Sequence, residues 1–150
     1  MSTVTIRDRI IAAAIEQTTA AGWASVTMSR LAAVAAVSRQ TVYNEIGSKP
    51  ALAQAMVLTE LGRFLAVVDA AFAAEPDDLG AAMERSTRDV LVYARDNQLL
   101  HAVVSATHGA DTELLPLLTT HADSLLETAR GVVRGHVESY ALALEASRLE

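Results

Sequence analysis

The chain has 150 residues, 51% of them apolar but only 4% aromatic, with three prolines and seven glycines. Ala, Leu and Val dominate, which favours helices packed through small aliphatic side chains. The absence of cysteine excludes disulfides, thiolate nucleophiles and cysteine-based zinc sites.

The net charge of −6 conceals an asymmetry: residues 1–50 carry five basic and three acidic side chains, a net of +2, whereas residues 51–150 carry seven basic and fifteen acidic ones, a net of −8. A locally basic head on an acidic body suits a protein that meets phosphate at one end only. The N-terminus lacks the apolar core of a signal peptide. No uninterrupted apolar run reaches the roughly 18 residues of a membrane-spanning helix, since Asp69 breaks the best candidate, residues 64–74. A cytoplasmic protein with no membrane partner is expected.

In chain order, Ile6, Ile10, Ile11, Ala14 and Ile15 recur at helical spacing and predict a first helix over residues 4–20, stopped by Gly22. After a short link, Thr27 is the N-cap of a second helix whose inner face is Met28, Leu31, Ala32 and Ala35. A break of a few residues, Ala36-Val37-Ser38, precedes a short third helix over 39–45, capped by Ser38 and ended by Gly47-Ser48. Ser48 caps a long fourth helix, to about residue 74, with Pro50 in its first turn where a missing N–H costs little. Beyond the Glu75-Pro76-Asp77-Asp78 loop, helical patterning predicts segments 79–96, 99–107 and 113–140, the last containing Gly131 and Gly135. No alternating strand pattern competes, and the fold class is all-α.

Two short helices joined by a turn of three or four residues, behind a third helix, form a helix-turn-helix. The last helix needs a few apolar anchors, here Val37, Val42 and Ile46, and a polar outer face, here Arg39, Gln40, Thr41 and Asn44. Arg pairs with guanine, and Gln or Asn with adenine, in the major groove. Hydroxyls of Thr27, Ser38, Thr41 and Tyr43 suit phosphate oxygens, which fix register without reading sequence. Arg7 and Arg9 fit either phosphate proximity or an ordinary solvated helix face, and Trp23 reads as core.

The stretch from Val26 to Leu52, VTMSRLAAVAAVSRQTVYNEIGSKPAL, with Gly22-Trp23 before it, closely resembles the DNA-binding segment of the TetR family of repressors. The resemblance covers about a third of the chain. It implies that Thr27, Tyr43 and Lys49 touch the DNA backbone, and that Arg39, Gln40, Thr41 and Asn44 face the groove. Two positions depart from the family pattern. Ala36 stands where glycine is usual in the turn, and a left-handed conformation there costs Ala about 1 kcal/mol. Ile46 stands in place of the commoner phenylalanine, losing aromatic packing but keeping an apolar anchor.

The chain thus divides into a three-helix DNA-binding unit over 1–47 and a helical effector-binding domain over 48–150. The expected function is a sequence-specific transcriptional repressor released from its operator by a small molecule. The alternative is a ligand-binding or interaction module whose DNA head is vestigial. A pocket between helices is the usual small-molecule site of a bundle, and polar residues on otherwise apolar stretches are its candidates: Arg88, Tyr93, His101, Thr107, His108 and His121. The aliphatic composition points to an apolar effector. No diagnostic metal-ligand spacing and no nucleophile–base–acid set is present, so neither a metal, a cofactor nor an enzymatic activity is expected.

The resemblance also implies two further helices, beyond about residue 140, that pair as a homodimer interface. Their absence here predicts a C-terminally truncated body that leaves Val132, Val133 and Val137 uncovered.

Overall fold

A computed structural model describes residues 4–105 and 122–147. Among the described residues there is no strand, and the helices are α1 (Ile6–Ala21), α2 (Met28–Val34), α3 (Arg39–Ile46), α4 (Lys49–Ala74), α5 (Leu79–Asp96), α6 (Gln98–Ser105) and α7 (Ala122–Ser147). One turn of 3-10 helix, Trp23–Ser25, links α1 to α2. The part of the 113–140 segment before Ala122 lies outside the described residues, and α7 continues past Tyr140 to Ser147.

Side-chain caps set the helix starts, because the first N–H groups of a helix have no partner within it. Thr27 accepts from the Arg30 N–H at 3.3 Å, Ser38 from Thr41 at 3.0 Å and Ser48 from Ala51 at 3.2 Å, at the three positions expected. Three more caps were not anticipated. Thr5 and Asp8 form a reciprocal capping box, Thr5 Oγ1 accepting from the Asp8 N–H at 3.1 Å and Asp8 Oδ2 from the Thr5 N–H at 3.0 Å. This is why α1 begins at Ile6, and the bonds from Thr5 hold the Asp8 carboxyl below the usual carboxylate range. Asp78 caps α5 through the Ala81 N–H at 2.9 Å, and Asn97 caps α6 through Leu100 at 2.9 Å.

The described residues form two compact units, 4–59 with 97–105, and 60–96 with 122–147. In the first, Ile10, Ile11, Ala14, Trp23, Val26, Leu31, Val42 and Ile46 are buried together. Ile6, expected on the inner face of α1, is 41% exposed, because it lies in the first turn beside the capping box. The change between these units falls inside α4. Leu52, Ala53, Ala55 and Met56 complete the core of the first unit, and Leu99 of α6 joins it.

In the second unit, Val68 and Phe72 of α4 and Ala82 of α5 form the buried centre, with Phe64, Leu79, Val90, Val132, Val133 and Tyr140 packed around them. Val132 and Val133 are therefore half-buried against α4 and α5, not left uncovered, while Val137 stays 37% exposed. The polar ends of this unit are tied down. The Tyr140 hydroxyl donates to the carbonyl oxygens of Phe72, at 3.2 Å, in the last turn of α4 and of Glu75 just past it. Burial, with Asp77, Glu75 and Asp78 nearby, pushes the Tyr140 phenol up.

By length and composition α4 is apolar enough to cross a membrane, which the search for uninterrupted apolar runs did not anticipate. Its polar residues have partners across the second unit. Glu60 accepts from the Tyr93 hydroxyl at 2.9 Å, and Asp69 lies 2.7 Å from His136 Nε2. Helix α4 supplies Leu52, Ala53, Ala55 and Met56 to one core and Val68 and Phe72 to the other, with 28% of its apolar stretch buried.

The α2–α3 turn adopts the strained geometry anticipated for it, Ala36 having φ +52° as the one non-glycine residue with positive φ among those described. Glycine takes this conformation without the Cβ penalty, although it loses more backbone entropy on folding. Ala36→Gly is therefore expected to stabilise the chain by roughly 0.5–1 kcal/mol, seen as a higher urea midpoint with an unchanged m-value. An unchanged or lower midpoint shows that the turn carries no relievable strain.

Candidate nucleic-acid interface and ligand cavity

Helix α3 is held from behind and left open in front. Val42 and Ile46 are fully or nearly buried under it, and Val37 is half-buried at its entry. Two arginines of α1 reach across to the helix ends: Arg7 Nη1 donates to the Glu45 carbonyl in the last turn of α3, and Arg9 Nη2 to the Ala35 carbonyl at the end of α2. Those carbonyls carry the negative end of each helix dipole, where a cation is favourable. Arg7 and Arg9, although exposed, thus tie α1 to the ends of α3 and α2. Arg30 likewise turns back, donating to the Ser25 carbonyl at 2.9 Å.

The outer face of α3 presents Arg39, Gln40, Tyr43 and Asn44, all exposed, with Tyr43 at 45%. Thr41 is half-buried, its hydroxyl 2.8 Å from that of Ser38, so this pair serves the start of the helix as well as its surface. Gln40 Nε2 donates to Asn44 Oδ1 at 2.9 Å, joining two of the expected groove-facing residues to each other. Thr27 is exposed at the start of α2. Lys49 opens α4 with its Nζ 4.7 Å from the centre of the Trp23 ring, a cation–π contact with a side chain otherwise buried in the core. The eight expected DNA contacts thus lie at the starts of α2 and α4 and along α3, all within the first unit. The i, i+4 spacing of Gln40 and Asn44 is a readable signal for their bond. Nothing in the sequence brings Trp23 to Lys49, which are 26 positions apart.

The second unit contains an open groove of about 810 Å³ between α4, α5 and α7, with Leu91 and Leu126 at its rim 65% and 54% exposed. Phe64, Val68 and Phe72 form its α4 wall, Met83, Val90 and Leu91 its α5 wall, and Leu126, Ala129, Val133 and Val137 its α7 wall. Ser86, Thr87, Arg130, Arg134 and Glu138 supply its polar atoms. Behind the wall, the Phe72 ring stacks on His136 with centroids 4.4 Å apart and meets Tyr140 edge-on at 6.1 Å.

Of the polar residues expected to contact an effector, Arg88, Tyr93 and His101 are not among those lining this groove. Arg88 is exposed on α5 and pairs with Glu84 at 2.6 Å, facing away from the cavity as the adjacent Thr87 faces in. Tyr93 turns to Glu60, and His101 sits on α6 in the first unit. Thr107, His108 and His121 lie outside the described residues. The cavity residues escaped notice because they are mostly apolar, and in sequence an apolar pocket wall reads like plain core.

Two family profiles match the chain: bacterial regulatory proteins of the tetR family over residues 10–56, and the C-terminal domain of the bacterial tetracyclin repressor over residues 78–150. The HTH-type transcriptional regulator AlkX of Mycobacterium tuberculosis (strain ATCC 25618 / H37Rv) is 28% identical over 124 residues, which cover 83% of this chain and 58% of that protein. The crystal structure of the TetR family repressor AlkX from Dietzia sp. strain DQ12-45-1b, implicated in biodegradation of n-alkanes, superposes with a TM-score of 0.75 at 26% identity, covering 99% of this chain and 81% of that one. A head with its second and third helices capped at Thr27 and Ser38, matched by one profile, and a helical body matched by the other, place this chain in the TetR family of transcriptional regulators.

Proposed function

We propose that the chain is a sequence-specific DNA-binding regulator, a repressor that leaves its operator when a small apolar or amphipathic molecule occupies the cavity of the second unit. The observation that carries this reading is the mounting of α3. A helix of eight residues buries Val42 and Ile46, is clamped at its end by Arg7, and presents Arg39, Gln40, Tyr43 and Asn44 to solvent. Such a face has the donors and acceptors that base edges require, at the size the major groove admits. In this reading Arg39, Gln40, Thr41 and Asn44 face the bases, while Thr27, Ser38, Tyr43 and Lys49 hold phosphates. Two heads are needed to span successive major grooves, so the working form is a cytoplasmic homodimer.

The effector side rests on the cavity. Its volume lies within the range of small-molecule pockets, and its walls are aliphatic and aromatic with few polar groups. The Dietzia relative is implicated in biodegradation of n-alkanes, which are apolar molecules of the kind such a lining accepts. Helix α4 runs unbroken from Lys49 to Phe64, Val68 and Phe72. A ligand that favours another placement of that wall therefore shifts the population of Lys49 positions available to DNA.

Two measurements test the reading. Fluorescence anisotropy on an operator obtained by selection should show log K falling linearly with log salt, by about 0.9 per phosphate neutralised. Arg39→Ala should cost about 1–3 kcal/mol on that operator and relax base preference, whereas Lys49→Ala and Tyr43→Phe should weaken all sequences alike. Salt-independent binding, or unchanged base preference in Arg39→Ala, overturns the DNA side. For the cavity, a thermal-shift screen of medium- and long-chain alcohols should raise the unfolding midpoint, by about 2.7 kcal/mol of stability at a hundredfold excess over Kd. Ala129→Phe, which fills the α7 wall, should abolish that rise. A response only to highly charged, polar compounds overturns the apolar-effector reading.

A further inference from the structure

We propose that Trp23, buried in the core of the first unit, is the positioning residue for the phosphate contact of Lys49: its ring seats the ammonium without cancelling the charge. The proposal rests on the DNA-binding reading above and adds to it a residue that does not itself reach the surface of α3. Lys49 Nζ lies 4.7 Å from the centre of the Trp23 ring, inside the roughly 6 Å of a cation–π contact. Trp23 is 2% exposed and shares its core with Val26, Leu31 and Leu52, so the ring is a fixed platform, whereas Lys49 is half-buried.

Lys49 needs such a seat for two reasons. It is the first residue of α4, behind the Ser48 cap, where the positive end of the helix dipole disfavours a cation. Its ammonium also stands on a flexible alkyl stem, and ordering that stem costs entropy.

A carboxylate could hold it, as carboxylates hold Arg63, Arg85, Arg88, Arg95 and Arg130 in the second unit. Among the described residues no carboxylate pairs with Lys49. One placed there would neutralise the charge and repel a phosphate. An aromatic face does neither, because it attracts the ammonium through its quadrupole and leaves the full positive charge in place. Of the three N–H donors of the ammonium, those turned away from the ring remain for phosphate oxygens. The ring thus carries out before DNA arrives an ordering step that binding would otherwise have to supply.

The chain has a single tryptophan, so biosynthetic replacement by mono-, di- and tetrafluorotryptophan alters this ring alone. Fluorine draws electron density from the ring face and weakens the attraction in that order, while keeping the indole in the core as Trp23→Leu would not. The readout is fluorescence anisotropy of a dye-labelled duplex selected from a random pool. Each form of the unaltered chain and of Lys49→Met is measured at a temperature where circular dichroism melts show every form folded. In the unaltered chain, affinity should fall stepwise with fluorination, by about two- to fivefold at tetrafluorotryptophan. Lys49→Met should bind more weakly, lose about 0.9 from the slope of log K against log salt, and show no further fall with fluorination. Affinity that stays level or rises with fluorination in the unaltered chain, or falls equally in Lys49→Met, overturns the proposal while DNA binding stands. So does a Lys49→Met variant that keeps both the affinity and the salt slope of the unaltered chain. Failure of the unaltered chain to bind any duplex overturns the DNA-binding reading, and the proposal with it.

Discussion

An eight-residue helix does not hold itself together in water, because its nucleation cost exceeds what so few hydrogen bonds return. Everything that α3 presents therefore depends on what lies beneath it. Val42 and Ile46 are its two buried anchors, each contributing about 1.5–3 kcal/mol by leaving water. Ser38 closes one end and Arg7 the other. With both ends and the inner face occupied, the outer face is free of structural duty, and polar residues can stand there without weakening the fold.

The same arrangement sets where the charges of the head sit. Of its five basic residues, Arg7, Arg9 and Arg30 donate to backbone carbonyls within the unit. Arg39 lies exposed on α3 and Lys49 half-buried at the start of α4. The bonds to neutral carbonyls leave the arginine charges in place, and the aromatic face of Trp23 under Lys49 fixes where one more cation sits.

In the second unit the governing contacts are those of α7 on the end of α4. His136 stacks on Phe72 and meets Asp69, and Tyr140 donates to the Phe72 carbonyl. The other side of that packing is the cavity, since Phe72 belongs to its wall. Phe72 thus serves both the pocket wall and the packing of α7 on α4. Along one helix, the apolar residues of α4 serve two cores and a pocket.

The sequence by itself determined the all-α class, the order of the first four helices, the caps at Thr27, Ser38 and Ser48, the strained turn at Ala36 and the exposure of Arg39, Gln40 and Asn44 on α3. Each of these rests on local rules: side chains that pair with backbone a few residues away, and apolar residues that recur every three or four positions. Only the tertiary structure decided the rest. Arg7 and Arg9 became clamps because folding brings α1 against helix ends 26 and 38 positions away. The division into units fell inside α4 because Leu52, Ala53, Ala55 and Met56 are buried with the core of the first unit. The cavity took its walls from α4, α5 and α7 rather than from the scattered polar residues of the body. An apolar side chain facing a pocket and one facing a core are written with the same letters, and which of them it is depends on whether the opposite helix fills the space.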